Sequence, residues 1–231
     1  MRYTDAKCGR HSHYADGNPR PLFRGWLHGF LAVITLPATA YGLLGSTAYI
    51  NAVMAPMVIS VCWLLTFSSA LHLNPWRSIA VEDYVCRLDR LGVVLITACC
   101  FYSPHILTCD ASCRPPMSFT VWLVLLPNSV SAGMVLYGAK LGDRPSPLSF
   151  SGVLVSCVTM GMFWIYSKDY DLLAYELAVV SLDAIGMHVY ALQMGGDQPK
   201  WGFHEWMHLS VGIGFYINIY MVYVISQRCE V

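Results

Sequence analysis

The chain has 231 residues, of which 56% are apolar and 12% are charged, and its mean hydropathy is +0.50. Soluble domains carry about 25% charged residues, so this composition excludes a soluble globular protein and indicates a membrane protein. The formal net charge is zero at pH 7 and no basic stripe occurs along the chain, which excludes nucleic acid as a partner.

Seven apolar runs are long enough to cross a bilayer as helices, which takes roughly 20 mostly apolar residues. They are Trp26 to Ser46, Tyr49 to Leu71, Leu88 to Leu107, Met117 to Ala139, Leu148 to Tyr166, Leu172 to Leu192 and His204 to Ile225. Residues 1–25 form a polar arm, and residues 26–231 form one membrane domain, because the connections are too short for a second folded unit. The sequence therefore predicts an all-α membrane protein, a seven-transmembrane helix bundle.

The distribution of lysine and arginine predicts the orientation of this bundle. With a cytoplasmic N-terminus, eleven of these residues lie on inside segments and three lie outside, as the positive-inside rule requires. We therefore expect a cytoplasmic N-terminal arm and an outside C-terminus in a multi-pass protein of the plasma membrane, the inner membrane of a bacterium. An internal membrane is the alternative in a eukaryotic cell. Cys109 and Cys113 then share an outside loop, where a disulfide between them is permissible.

Three histidines fall at one predicted depth near the cytoplasmic face. His204 and His208 are four residues apart in the first two turns of the seventh run, so their rings lie on one side of a helix. The second run ends at the same face with His72, and the third run begins there with Asp89 in its first turn. Catalytic zinc sites typically use three protein ligands and one water. The histidines therefore predict a zinc site.

Further side chains fit the chemistry of such a site. Ser68 precedes His72 by about one turn, so its hydroxyl can hydrogen-bond a bound water or a ligand ring. Asp89 can hold the water and take its proton, since zinc lowers the pKa of a bound water to about 7. Glu205 is a rival base, because His204 to His208 also satisfies H-E-x-x-H, the zinc-peptidase pattern in which glutamate is the general base. The set predicts hydrolysis.

The remaining histidines and the carboxylic acids of the sixth run have less specific interpretations. Histidines near helix ends usually reach toward the lipid headgroups, and we apply this interpretation to His11, His13, His28 and His105. The sixth run carries Glu176, Asp183 and His188; the two carboxylic acids are seven residues apart and share a helical face that we expect to point into the bundle. Two interpretations of this run stay open, a path for a substrate or proton and neutral, hydrogen-bonded packing residues.

Four motifs occur in the order in which they are found in hemolysin III proteins. They are Arg24-Gly25-Trp26-Leu27-His28-Gly29, Ser68-Ser69-Ala70-Leu71-His72, Arg87-Leu88-Asp89-Arg90-Leu91-Gly92 followed by Phe101-Tyr102-Ser103-Pro104, and Gly202-Phe203-His204-Glu205-Trp206-Met207-His208. Over about Arg20 to Tyr223 the chain resembles this family, the bacterial branch of the progestin and adipoQ receptor superfamily, which includes the adiponectin receptors.

The resemblance implies seven helices around an intramembrane zinc near the cytoplasmic side, held by histidines that match His72, His204 and His208. It also implies that Asp89 contacts the metal through water and that Ser68 matches a serine of the family. The glutamate after the first histidine is not a fixed part of the family pattern, which favours Asp89 as the base. In the adiponectin receptors this site is linked to hydrolysis of the ceramide amide bond, and the bacterial relatives are associated with membrane-lipid and membrane-energetics homeostasis.

Three functions are compatible with these features. The favoured one is a zinc-dependent hydrolase of an amide or ester bond, with a membrane lipid as its substrate. A cytolytic pore, which the family name indicates, needs a continuous polar stripe on some helix, and only the sixth run comes near that. A receptor or sensor with structural zinc needs a fourth protein ligand, for which Asp89 is the candidate.

Overall fold

The computed structural model describes residues 21–44, 48–107, 125–137, 151–195 and 201–229. This part of the chain contains seven helices, namely α1 (Trp26–Leu44), α2 (Ala48–Leu73), α3 (Ile79–Leu107), α4 (Leu126–Tyr137), α5 (Ser151–Ser167), α6 (Tyr170–Ala191) and α7 (Phe203–Cys229). Each predicted run overlaps one of them, so the all-α fold is confirmed. Most of the polar arm and the pair Cys109 and Cys113 lie outside the described residues.

Among the described residues, three stretches are long and apolar enough to cross a membrane by length and composition: Met54–Leu73, Tyr170–Ala191 and Phe203–Ile225. They belong to α2, α6 and α7, the helices that carry the predicted histidine ligands and the buried carboxylic acids. A multi-pass helical membrane protein is therefore supported, while the full set of seven crossings and the orientation of the termini stay predictions.

The third helix begins nine residues before the apolar run that predicted it, at Ile79 instead of Leu88. Its first turns are polar but helical, and Arg87 donates from Nη2 to Oδ2 of Asp83 one turn earlier, at 2.6 Å. Ion pairs one turn apart stabilise helical turns that contain few apolar residues. A search for apolar runs does not detect such turns. The expectation that Asp89 lies in the first turn is therefore wrong, because this residue lies ten positions after the start of α3.

The last two helices, α6 and α7, pack antiparallel along their lengths. Contacts at three levels define their register: Arg228 Nη1 with Asp169 Oδ2 at 2.7 Å, the rings of Tyr175 and Tyr220 at 5.7 Å, and Ser210 Oγ with the Leu182 carbonyl at 2.6 Å. An apolar cluster from α5, α6 and α7 fills the end of the bundle where α6 begins, with Phe163, Trp164, Leu172, Met221, Val222 and Ile225. Polar residues in the first turns of α7 lie at the opposite end.

A close contact joins α2 to α3 at Gly92. A Cβ at this position would lie 2.9 Å from Leu64 Cα, nearer than packed side chains tolerate. One turn earlier, the indole of Trp63 donates from Nε1 to the carbonyl of Leu88 at 2.9 Å. These contacts hold the middle of α3 against α2, so that Asp89 faces the helix that carries Ser68.

We predict that Gly92→Ala destabilises the protein by about 1–3 kcal/mol, the usual cost of adding volume to a packed interface. The matched control is Gly133→Ala in α4, where an added Cβ meets no described atom within 4 Å. That substitution should be neutral or stabilise the helix by up to about 1 kcal/mol. Thermal unfolding in detergent measures both, and equal midpoints for the two variants would contradict the close packing of α2 on α3.

Candidate metal centre

The first turn of α7 is held in place by Glu205. The backbone N–H of Gly202, just before the helix, donates to Glu205 Oε2 at 2.7 Å, which is the glutamate half of a capping box. Glu205 Oε1 accepts from Nε of Arg24 at 2.5 Å. Both side chains are buried, with 6% exposure for Arg24 and 2% for Glu205. This pair sets the rotation of the first turn of α7, and with it the direction of His204 and His208.

The segment before α1 also packs directly on the end of α2. Gly25 has a φ of +84°, a left-handed conformation that glycine adopts at little cost. A Cβ there would lie only 2.5 Å from the Cβ of His72, so no larger residue fits. Arg24 and Gly25 together therefore connect α7 and α2 through one short stretch of chain.

The structure brings His72, His204 and His208 together. Their candidate ligand atoms all lie within 4.8 Å of one another. The ring centroids of His204 and His208 are 4.4 Å apart, and the ring of His72 lies 4.8 Å from that of His204 and 6.2 Å from that of His208. Ligands from the end of α2 and the start of α7 thus converge on one point.

This donor set fits a metal ion. The Nε2 atoms of His204 and His208 are buried and have no hydrogen-bond partner within the described part of the chain. A buried polar atom without a partner costs free energy, and coordination by both nitrogens would remove that cost. Three imidazoles are a donor set that zinc commonly uses when a fourth position stays open to water. The cluster can therefore hold a divalent ion of this kind.

His28 lies inside the same centre and not at the headgroups. Its side chain is 6% exposed, and its ring centroid is 4.0 Å from that of His208. Nδ1 of His28 is hydrogen-bonded to Oγ of Ser68 at 2.5 Å. The prediction for His28 is therefore wrong, because Arg24 and Gly25 turn the first turn of α1 toward α7. The sequence alone offers no signal for this placement, because the burial of Arg24, one turn before His28, is seen only in the structure.

Ser68 and Asp89 lie beside the histidines. Ser68 is fully buried, and its hydroxyl interacts with the Asp89 carboxylate as well as with His28. Oδ1 of Asp89 is buried and has no hydrogen-bond partner among the residues that the structure describes. Asp89 does not belong to the group of converging ligand atoms. The carboxylate of Asp89 therefore lies next to the centre. Ser68 links it to His28, and the ring of His28 packs on that of His208.

The end of α6 contributes an aromatic wall. The ring of Tyr190 lies 5.5 Å from that of His204 and 5.7 Å from that of Phe203. His188, one of the three polar residues noted in the sixth run, is exposed and takes no part in the cluster. Glu176 and Asp183 lie further along α6, away from this end.

These observations define a class of protein: a multi-pass helical membrane protein with a buried histidine cluster at one end of its bundle that can hold a metal ion. The sequence model of the family described as Haemolysin-III related matches residues 17–219. The chain belongs to this family, as the four motifs predicted. No curated protein gives a significant match.

We predict that Arg24→Ala destabilises the protein by about 3–5 kcal/mol, because it leaves the Glu205 carboxylate buried without its cation. The control is Arg87→Ala, which removes a pair whose side chains are 29% and 53% exposed, and should cost at most about 1 kcal/mol. Thermal unfolding in detergent measures the difference. If the two variants unfold alike, the Arg24–Glu205 pair does not hold α7 in place.

Proposed function

We propose that the protein is a membrane-embedded hydrolase that cleaves an amide or ester bond of a membrane lipid, as a ceramidase does, with zinc held by His72, His204 and His208. The observation that carries this proposal is the convergence of ligand atoms within 4.8 Å, beside a carboxylate oxygen of Asp89 that no described residue engages. Zinc held by these three histidines would supply Lewis-acid chemistry, activating a water near neutral pH and polarising a carbonyl group.

Asp89 is the residue that we assign as the general base. Its Oδ1 has no partner among the described residues and is available to accept a proton from water, while Ser68 orients the carboxylate. Glu205, the rival base, has its two oxygens occupied by the Gly202 amide and the Arg24 guanidinium. A carboxylate held in this way is suited to positioning α7 and not to taking up a proton. The geometry therefore favours Asp89 over Glu205.

An apolar cleft on the outer side of the last two helices suits a lipid chain. It lies between α6 and α7, has a volume of about 440 Å³, and is lined by apolar groups that include Leu182, Gly186, Trp206 and Leu209. Leu209 directly follows His208, so the cleft begins on the flank of the helix that carries two of the histidines. Pockets of roughly 300–1,000 Å³ accommodate small ligands, and apolar walls of this kind are suited to an acyl chain.

An open site is favoured over a closed structural one. A structural zinc in a receptor or sensor requires four protein ligands, and the converging ligand atoms of the described residues come from three histidines. A cytolytic pore requires polar residues on one continuous wall, whereas Glu176 of α6 is fully buried and His188 on the same helix is exposed.

We place the protein in the plasma membrane with this centre toward the cytoplasm, where it acts in membrane-lipid homeostasis.

We predict that His208→Ala lowers bound zinc well below one ion per chain, because two imidazoles do not hold the ion as three do. The control is His188→Ala, which removes an exposed histidine of α6 and should leave the zinc content unchanged. Elemental analysis of purified protein measures the stoichiometry. Full zinc content in the His208 variant would disprove the ligand assignment.

We predict that Asp89→Asn abolishes lipid turnover and keeps the metal, because the amide retains the shape of the carboxylate but accepts no proton. Asp83→Asn, at an exposed position of the same helix, should leave both unchanged. Lipidomics of cells with and without the protein identifies the substrate. Turnover of that lipid in vesicles then measures activity, and elemental analysis of the same variants measures bound metal. Loss of metal in the Asp89 variant would indicate a closed, structural site.

A further inference from the structure

A second polar cluster lies in the half of the bundle away from the histidines. Glu176 of α6 and Asn218 of α7 are each 1% exposed. Both carboxylate oxygens of Glu176, and both the oxygen and the nitrogen of the Asn218 amide, are buried without a hydrogen-bond partner in the described part of the chain. Polar atoms left unsatisfied inside a membrane protein are costly and tend to be functional. The burial of Glu176 and Asn218 is not explained by a contact with the histidine centre or by a role in capping a helix.

The register of α6 on α7 places these two side chains at one level. Contacts on either side of them pair Gly214 with Val179 and Tyr220 with Tyr175. Glu176 and Asn218 lie between these contacts on their respective helices. Glu176 shares its buried face with Leu172 and Val179, and Asn218 shares its face with Gly214 and Met221. The carboxyl and amide groups therefore belong to the facing surfaces of the two helices.

Asp183 extends the cluster toward the histidine end. Its Oδ1 lies 3.2 Å from the place where a Cβ of Gly214 would be, so the absence of a side chain at Gly214 leaves room for this carboxyl group. Asp183 interacts electrostatically with Glu176. Two neighbouring thiols, Cys100 of α3 and Cys157 of α5, interact with both carboxyl groups.

Within the described part of the chain, no cation of the helices that pack around these carboxyl groups is placed to balance them. The sequence contains no lysine, arginine or histidine at residues 92–104 of α3, 151–167 of α5 or 209–227 of α7. Two ionised carboxylates, one buried and one partly buried, would repel each other and lose hydration when no cation balances them. Because no described side chain supplies that cation, we infer that at least one of the two is neutralised by a bound cation, either a proton or a metal ion.

The surroundings favour a proton. Hard cations such as calcium take six to eight oxygen ligands, and thiols are poor ligands for them. Around Glu176 the groups that the structure identifies are one amide, one further carboxyl group, two thiols and the apolar side chains of Val179 and Met221. A protonated Glu176 needs only one acceptor, and the Asn218 oxygen at the same level can supply it.

We propose that Glu176, Asp183 and Asn218 form a proton-binding site inside the membrane, separate from the histidine centre. Glu176 carries the proton, the oxygen of Asn218 at the same level of α7 is the candidate acceptor for it, and Asp183 is the second carboxyl group that shares the site. On α7, Asn218 follows His208 by ten residues, a rise of about 15 Å. The site therefore does not depend on the metal, and it gives the bundle a group that can take up and release a proton in the membrane interior.

Infrared spectroscopy of the purified protein tests this directly. Wild-type protein at pH 7 should show the C=O band of a protonated carboxyl group, which moves on transfer to deuterium oxide and is absent from Glu176→Gln. Asp171→Asn, at a position of α6 that is 84% exposed, is the matched control and should keep the band. Removal of metal with a chelator should also keep it, which separates this site from the proposed hydrolase centre.

Two further measurements keep the test decisive if Glu176→Gln folds poorly. The deuterium shift in wild-type protein needs no variant, and its absence would overturn the proposal. In Asp183→Asn the pH at which the band disappears should change, and an unchanged pH would show that Asp183 does not share the site. A band that sodium or calcium ions remove at constant pH would identify a metal-cation site and overturn the assignment to a proton.

Discussion

The buried ion pair between Arg24 and Glu205 is the interaction on which the histidine centre depends. It joins the chain just before α1 to the first turn of α7, at 2.5 Å and almost out of contact with solvent. Glu205 also binds the amide of Gly202, and Gly25 packs against His72, so α1, α2 and α7 meet at this junction. An ion pair buried in this way is costly to break, because either partner alone would be left as an isolated charge.

Much of the fold and part of the centre could be predicted from the sequence. Runs of apolar residues reveal helices because a bilayer requires them, and the spacing of His204 and His208 places both rings on one face. We predicted that His72 would meet them from membrane depth alone, because the orientation expected from the charge distribution also predicts which helix ends lie at the same level. These inferences needed no knowledge of how the helices pack.

The parts that could not be predicted depend on packing. The start of α3 was missed because hydropathy detects the membrane-embedded part of a helix and not its polar extension. His28 was misassigned because a single histidine near a helix end has no spacing partner that would reveal its direction. The H-E-x-x-H pattern shows the same point: spacing made Glu205 a candidate base, whereas its contacts with Arg24 and Gly202 give it a structural part.

The separation of the cluster's members along the chain has a consequence for biosynthesis. His72 and His204 are more than 130 residues apart in sequence, although their rings lie 4.8 Å from each other. While the ribosome is still translating the segments between them, α2 is already made, but the helix that completes the cluster does not yet exist. All three histidines can therefore hold a metal ion only after the final helix is inserted, and a chain that stops before Trp201 would leave His72 without His204 and His208.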